Sequence, residues 1–174
     1  MRKLLALCDP TTTIGLRNQV LLLLGHETMR RRSELVGFRF DDLRQSASGH
    51  MGIFLCQSTT DQTGQGRIIP ISNHLADLLE AWRTVAGDGF ILRGIQKGGR
   101  ITNSMAPESV NRSLKRLESQ LGREKQTLSG HSFRVGKTID MIENGFTLEQ
   151  IALAGGWNST KTVFRYAQSW THTR

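Results

Sequence analysis

Apolar positions along the chain change their spacing twice, and the changes divide it into helical and extended stretches. Ile14, Leu16, Val20, Leu21, Leu23 and Leu24 fall at helical intervals behind Thr11, Thr12 and Thr13, which can cap; the pattern predicts a broadly buried helix that closes before Gly25. A short second helix is expected through Ser33, Glu34, Leu35 and Val36. The period then falls to two. Residues 53–56 and 67–71, separated by a polar tip over 57–66, read as a β-hairpin.

Asn73 is expected to cap a helix carrying Leu75, Leu78, Leu79 and Trp82 on one side, and Phe90, Ile91 and Leu92 to return one more strand to the hairpin. Beyond them, Val110, Leu114, Leu117 and Leu121 predict a helix over 106–121. A further helix is expected over 132–143, closed by Asn144-Gly145. Thr147 and Gln150 form a capping-box pattern that opens a helix ending at Gly155-Gly156, and a last helix follows over 159–168. The expected fold class is mainly α with a small antiparallel β-sheet, an α+β arrangement. The three prolines are scattered and no repeat or linker divides the chain, which predicts one domain over residues 1–174.

At 174 residues such a domain can bury roughly 70% of its unfolded surface without disulfides or metals. The longest apolar run, Val20 to Leu24, is far short of the ~20 residues of a membrane crossing, so no membrane role is expected. The opening Met1 to Cys8 imitates a signal peptide but breaks at Asp9-Pro10, which argues against export. Two cysteines make neither a disulfide framework nor a zinc site, and a reducing cytoplasm is the expected compartment. The 23 Lys+Arg exceed the 15 Asp+Glu by eight, a surplus that suits a surface for nucleic-acid phosphates.

Candidate chemistry concentrates in three places: Arg30-Arg31-Arg32 with Glu34, His131-Ser132-Phe133-Arg134, and Trp157 with Tyr166. Taken singly, each has a plain structural explanation, as a solvated arginine face, a helix cap, or aromatic core. Taken together they suit attack of a tyrosine hydroxyl on a DNA phosphodiester. Two guanidiniums can hold the extra negative charge of the pentavalent phosphorane, and imidazole and indole N–H groups can complete the cradle. His131 and Arg134, three residues apart, share one face at a helix N-terminus, where the dipole favours an anion. Tyr166 is the sole tyrosine of the chain. A phosphotyrosine keeps the energy of the broken bond, so no ATP, metal or other cofactor is expected.

The run from Ser129 to Gly136, the box Ala154-Gly155-Gly156-Trp157 and Tyr166 nine residues after Trp157 resemble the tyrosine recombinase (phage integrase) family. The earlier box from Thr28 to Leu35 is similar to that family's Thr-Gly-Leu-Arg-x-Ser-Glu-Leu, which places the first catalytic arginine at Arg31 rather than Arg30 or Arg32. The resemblance implies Tyr166 as nucleophile, Arg31 and Arg134 as phosphate clamps, His131 as the acid/base group and Trp157 as a hydrogen-bond donor where many relatives have histidine. It implies double-stranded DNA as partner, a tetrameric synapse of protomers on DNA, and a monomer without DNA.

The chain departs from the family pattern in two ways. Where relatives carry a hairpin lysine that protonates the departing 5′ oxygen, in a pattern like Ser-Lys-Thr-Asp, this chain reads Ser58-Thr59-Thr60-Asp61. The nearest downstream lysine is Lys97. Relatives also place a helical core-binding domain of roughly a hundred residues ahead of the first arginine box; this chain has about thirty there, and that domain is expected to be absent. The leading expectation is a recombinase or integrase catalytic domain. The alternatives are a DNA-binding module of the same fold that has lost catalysis, and a type IB topoisomerase.

Overall fold

The computed structural model describes residues 1–56, 66–122 and 127–171, with side chains through Gln168. Helices α1 (Arg2–Leu5), α2 (Thr13–Thr28) and α3 (Arg32–Gly37) precede a sheet of β1 (Leu43–Gln45), β2 (Met51–Leu55) and β3 (Arg67–Pro70). Five helices follow: α4 (Asn73–Ala86), α5 (Pro107–Gln120), α6 (Gly130–Glu143), α7 (Leu148–Gly155) and α8 (Thr160–Thr171). The mainly helical fold with its small antiparallel sheet is the expected class. Among the described residues, no helix is long and apolar enough to cross a membrane.

The sheet has three strands in the order β1-β2-β3, both pairs antiparallel, with Ile53 opposite Leu43 on one side and Ile69 on the other. Its first strand was not expected. Leu43-Arg44-Gln45 is short and mostly exposed, so it has no alternating apolar pattern to betray it. The strand expected at Phe90, Ile91 and Leu92 does not join the hairpin. Ile91 N–H instead donates to Phe38 O at 2.9 Å and Phe40 N–H to Gly89 O at 2.9 Å, an isolated bridge that buries Ile91 and Leu92.

Several boundaries also differ from expectation, three of them where packing or capping shows why. Helix α2 continues past Gly25 to Thr28, because Gly25 is a packing position rather than a stop: a Cβ there would lie 2.5 Å from the Phe133 ring of α6. Ser72, not Asn73, caps α4. Its hydroxyl accepts Leu75 N–H at 3.1 Å while its own N–H and O–H donate to the Glu27 carboxylate, each at 2.7 Å. Helix α6 begins at Gly130, which draws His131 into its first turn.

Buried side chains form two clusters. The larger packs α2, α4 and α5 on the sheet around Leu21, Leu24, Ile53, Leu75 and Trp82, whose indole N–H is satisfied by Ile91 O at 2.7 Å. The smaller joins α6, α7 and α8 through Met141, Ile151, Ala152 and Val163, and takes in Met29, the left-handed residue that ends α2. Residues 28–31 therefore stand where the two clusters meet.

Candidate active site

The chemistry-bearing residues are set on separate elements by ordinary local rules. Arg31 precedes α3 in extended conformation, and the Glu34 carboxylate accepts its backbone N–H at 2.9 Å while pairing with its guanidinium at 3.6 Å. His131 and Arg134 lie one turn apart at the start of α6. Trp157 follows the α7 terminus, and Tyr166 lies on α8.

All five residues singled out by sequence, Arg31, His131, Arg134, Trp157 and Tyr166, line one open cavity of about 520 Å³. Tyr166 Oη lies 3.0 Å from His131 Nε2. If His131 carries its proton on Nδ1, the phenol donates in that bond. The Tyr166 ring also stands 5.7 Å from the Trp157 ring, and the Arg134 guanidinium lies 4.5 Å from the Trp157 centroid as a cation–π pair. Burial pushes the Tyr166 phenol above its ordinary pKa, with the Arg134 charge opposing. At neutral pH the hydroxyl is protonated, so a nucleophilic role needs a base beside it. His131 occupies that place.

Arg134 is almost fully buried, and burial first, then the Arg31 charge, lowers its pKa. Its Nη1 donates to Met29 O at 2.7 Å and its Nη2 to Gly155 O at 3.2 Å. The Ala-Gly-Gly-Trp box has a steric reason at both glycines. A Cβ on Gly155 would lie 2.2 Å from the Trp157 ring, which folds back over it, and Gly156 has the left-handed φ of +67°.

Three contributors were not legible in the sequence. Asn111, one polar position among several on α5, lines the cavity and accepts Gly130 N–H with its Oδ1 at 2.9 Å, fixing the start of α6. Arg67, read only as the first residue of a strand, donates to Leu153 O at 2.6 Å and Ala154 O at 3.1 Å. Arg30, set aside in favour of Arg31, is buried and does not line the cavity. Of these, Asn111 alone touches the cavity, and polar spacing within a helix gives no way to single it out.

Thr59 lies outside the described residues. Lys97 is exposed in the turn closed by Gly99 N–H on Gln96 O at 3.0 Å and is not among the residues lining the cavity. Among the described residues, no group of three or more His, Cys, Asp or Glu is placed to hold a metal ion.

Residues 1–172 match the phage integrase family, and the chain belongs to it. It is 25% identical over 170 residues to the Cre recombinase of Escherichia phage P1, covering 88% of this chain and 50% of that protein. It is 29% identical over 171 residues to a XerD homolog, an integrase/recombinase of Selenomonas ruminantium, covering 93% of this chain and 50% of the relative. The chain thus spans about half the length of these relatives. In fold it is similar to the XerA recombinase, with a TM-score of 0.71 at 16% identity over 99% of this chain and 60% of that one. It is also similar to the XerH site-specific recombinase bound to its difH substrate, with a TM-score of 0.72 at 19% identity over 95% of this chain and 47% of that one.

Proposed function

We propose that the chain is the catalytic domain of a site-specific DNA recombinase or integrase that cuts and rejoins duplex DNA through a covalent 3′-phosphotyrosine at Tyr166. The observation that carries this reading is the Tyr166 hydroxyl 3.0 Å from His131 Nε2 in a cavity walled by Arg31 and Arg134. A lone pair of the Tyr166 oxygen attacks phosphorus as its proton passes to His131. The P–O5′ bond then breaks, its electron pair leaving with the 5′ oxygen, which must gain a proton. Religation is the reverse, with a 5′-hydroxyl displacing the tyrosine. The energy of the phosphodiester is retained, so the reading calls for no cofactor. A cavity lining without carboxylates, and the α6 N-terminus at Ser129 and Gly130 within it, both suit a phosphate.

Double-stranded DNA is the proposed partner, with further protomers assembled on it and a monomer in its absence, which light scattering of the protein with and without DNA checks. The function itself is tested with pools of duplexes nicked close to the cleavage position, so that a short fragment diffuses away and strands the enzyme on DNA. A gel-stable adduct is expected, with its nucleotide on the peptide containing Tyr166; an adduct mapped to any other residue would sink the proposal.

Arg31→Ala is expected to slow adduct formation by about 10²–10³, the worth of about 2.7–4 kcal/mol typical of a single oxyanion donor. Affinity for DNA should fall much less, since ground-state binding is spread over many Lys and Arg contacts while the phosphorane charge exists only in the transition state. Arg134→Ala should do the same and also lower the melting temperature, because it frees Met29 O and Gly155 O. Single-turnover rates set against fluorescence anisotropy separate the two effects, and equal losses in rate and affinity for Arg31→Ala would count against the clamp.

A second reading, a DNA-binding module without turnover, draws on Thr59 in the lysine's place together with the position of Lys97 away from the cavity. It predicts binding without an adduct on any ordinary phosphodiester.

A further inference from the structure

Arg30 is 2% exposed, among the described residues the largest fully buried side chain after Trp82, and does not line the cavity that holds Arg31 and Arg134. Burying a guanidinium costs free energy unless hydrogen bonds compensate it, and an apolar residue of similar volume is often the more stable choice. The family pattern matched by residues 28–35 has leucine at this place. The arginine therefore calls for a reason other than stability.

Its bonds supply one. Arg30 Nε donates to Thr28 O at 2.7 Å, and Arg30 Nη2 donates to Ala154 O at 2.7 Å, across 124 residues of chain. Ala154 O also receives Arg67 Nη2, Leu153 O receives Arg67 Nη1, and Gly155 O receives Arg134 Nη2. Three guanidiniums thus take up three successive carbonyls at the C-terminus of α7, the helix end whose dipole favours cations. The backbone closes onto them, for a Cβ at Gly156 would lie 2.9 Å from Arg30 Nη1 and 3.0 Å from Arg67 Nη2. Arg30 bears the repulsion of Arg67, Arg134 and Arg31 with Glu34 as the opposing charge, and burial first, then Arg67, brings its pKa down to about 9. It remains a cation at neutral pH.

We propose that Arg30 is a positioning residue for strand cleavage: tied to Thr28 O and Ala154 O, it fixes the turn that presents Arg31 against the helix end that leads into Trp157 and Tyr166. The assignment rests on the reading of Tyr166 as nucleophile. Arg134 makes a parallel tie between Met29 O and Gly155 O, but its guanidinium must also meet the phosphate. Arg30 is buried, does not line the cavity and is free of that second demand, so its tie between Thr28 O and Ala154 O holds when Arg134 engages DNA.

The test uses the full chain and a duplex whose 3′ end carries a p-nitrophenyl phosphate ester. Nitrophenolate leaves without protonation, so the state of the hairpin acid does not enter, and its release reports attack by the enzyme. Arg30→Met retains apolar volume and is expected to lower the release rate about 100-fold, the scale of a misplacement of ~1 Å, with duplex affinity unchanged. The Trp157 indole N–H resonance should move in the same variant. Arg30→Lys keeps the charge but cannot span both carbonyls with one planar group, and should recover part of the rate.

A wild-type release rate in folded Arg30→Met overturns the proposal; should that variant not fold, a wild-type rate in Arg30→Lys does so. A change confined to melting temperature, with rate and indole resonance unmoved, also overturns it, since that is what a purely structural arginine would give. If the unmodified chain and Tyr166→Phe release nitrophenolate equally, the phosphotyrosine reading itself fails. The indole resonance still decides in that case whether Arg30 sets the geometry of the α7 end.

Discussion

Tyr166→Phe is expected to bind duplex DNA with the affinity and salt dependence of the unmodified chain and to form no covalent adduct at all. The substitution removes one oxygen from a half-buried ring and leaves Arg31, Arg134 and Trp157 in place around the cavity. Binding through phosphate contacts does not depend on that oxygen, whereas the covalent bond is made by it. No second tyrosine exists to substitute. Because burial raises the phenol pKa, the proposed attack starts from a neutral Tyr166 hydroxyl with His131 as the acceptor of its proton, so His131→Ala should slow the reaction while Tyr166→Phe ends it. Denaturing gels of the trapped nicked duplex, with anisotropy as the control for binding, measure both. An adduct that persists in the phenylalanine variant would remove Tyr166 from its role.

What the sequence disclosed and what it concealed follow from the range of the interactions involved. Helices α5 and α7 were legible because their apolar spacing and caps are local, and Thr147 with Gln150 forms the capping box that its pattern promised. The five cavity residues could be named because they are chemically distinctive and fall at family spacing. Their convergence is a property of the fold, which brings together α3, α6 and α8 from opposite ends of the chain. Arg30 and Arg67 were illegible for a related reason. Each donates to a main-chain carbonyl far along the chain, 124 residues from Arg30 and 86 from Arg67, and carbonyls carry no sequence signal. Gly25 misled because a glycine that admits an aromatic ring reads the same as one that ends a helix.

The remaining large effect concerns Thr59, whose place in the sequence between β2 and β3 belongs in the family pattern to a lysine. Threonine cannot donate a proton to a departing alkoxide at neutral pH, so cleavage of ordinary DNA should be limited at that step. Thr59→Lys is then expected to raise the cleavage rate by a factor of about 10²–10⁴, the usual worth of a placed general acid. A second substrate isolates the cause. Replacing the 5′-bridging oxygen by sulfur gives a leaving group that departs as thiolate without a proton, so the unmodified chain should cut it at a rate near that of Thr59→Lys on ordinary DNA. Lys97 offers the competing source of a proton, but it stands in the exposed turn at residues 96–99 and does not line the cavity, so Lys97→Ala should leave both rates unchanged. Loss of cleavage in Lys97→Ala, with no gain from either Thr59→Lys or sulfur, would transfer the acid role to Lys97. Inertness of every combination, with DNA still bound, would favour the binding module over the recombinase.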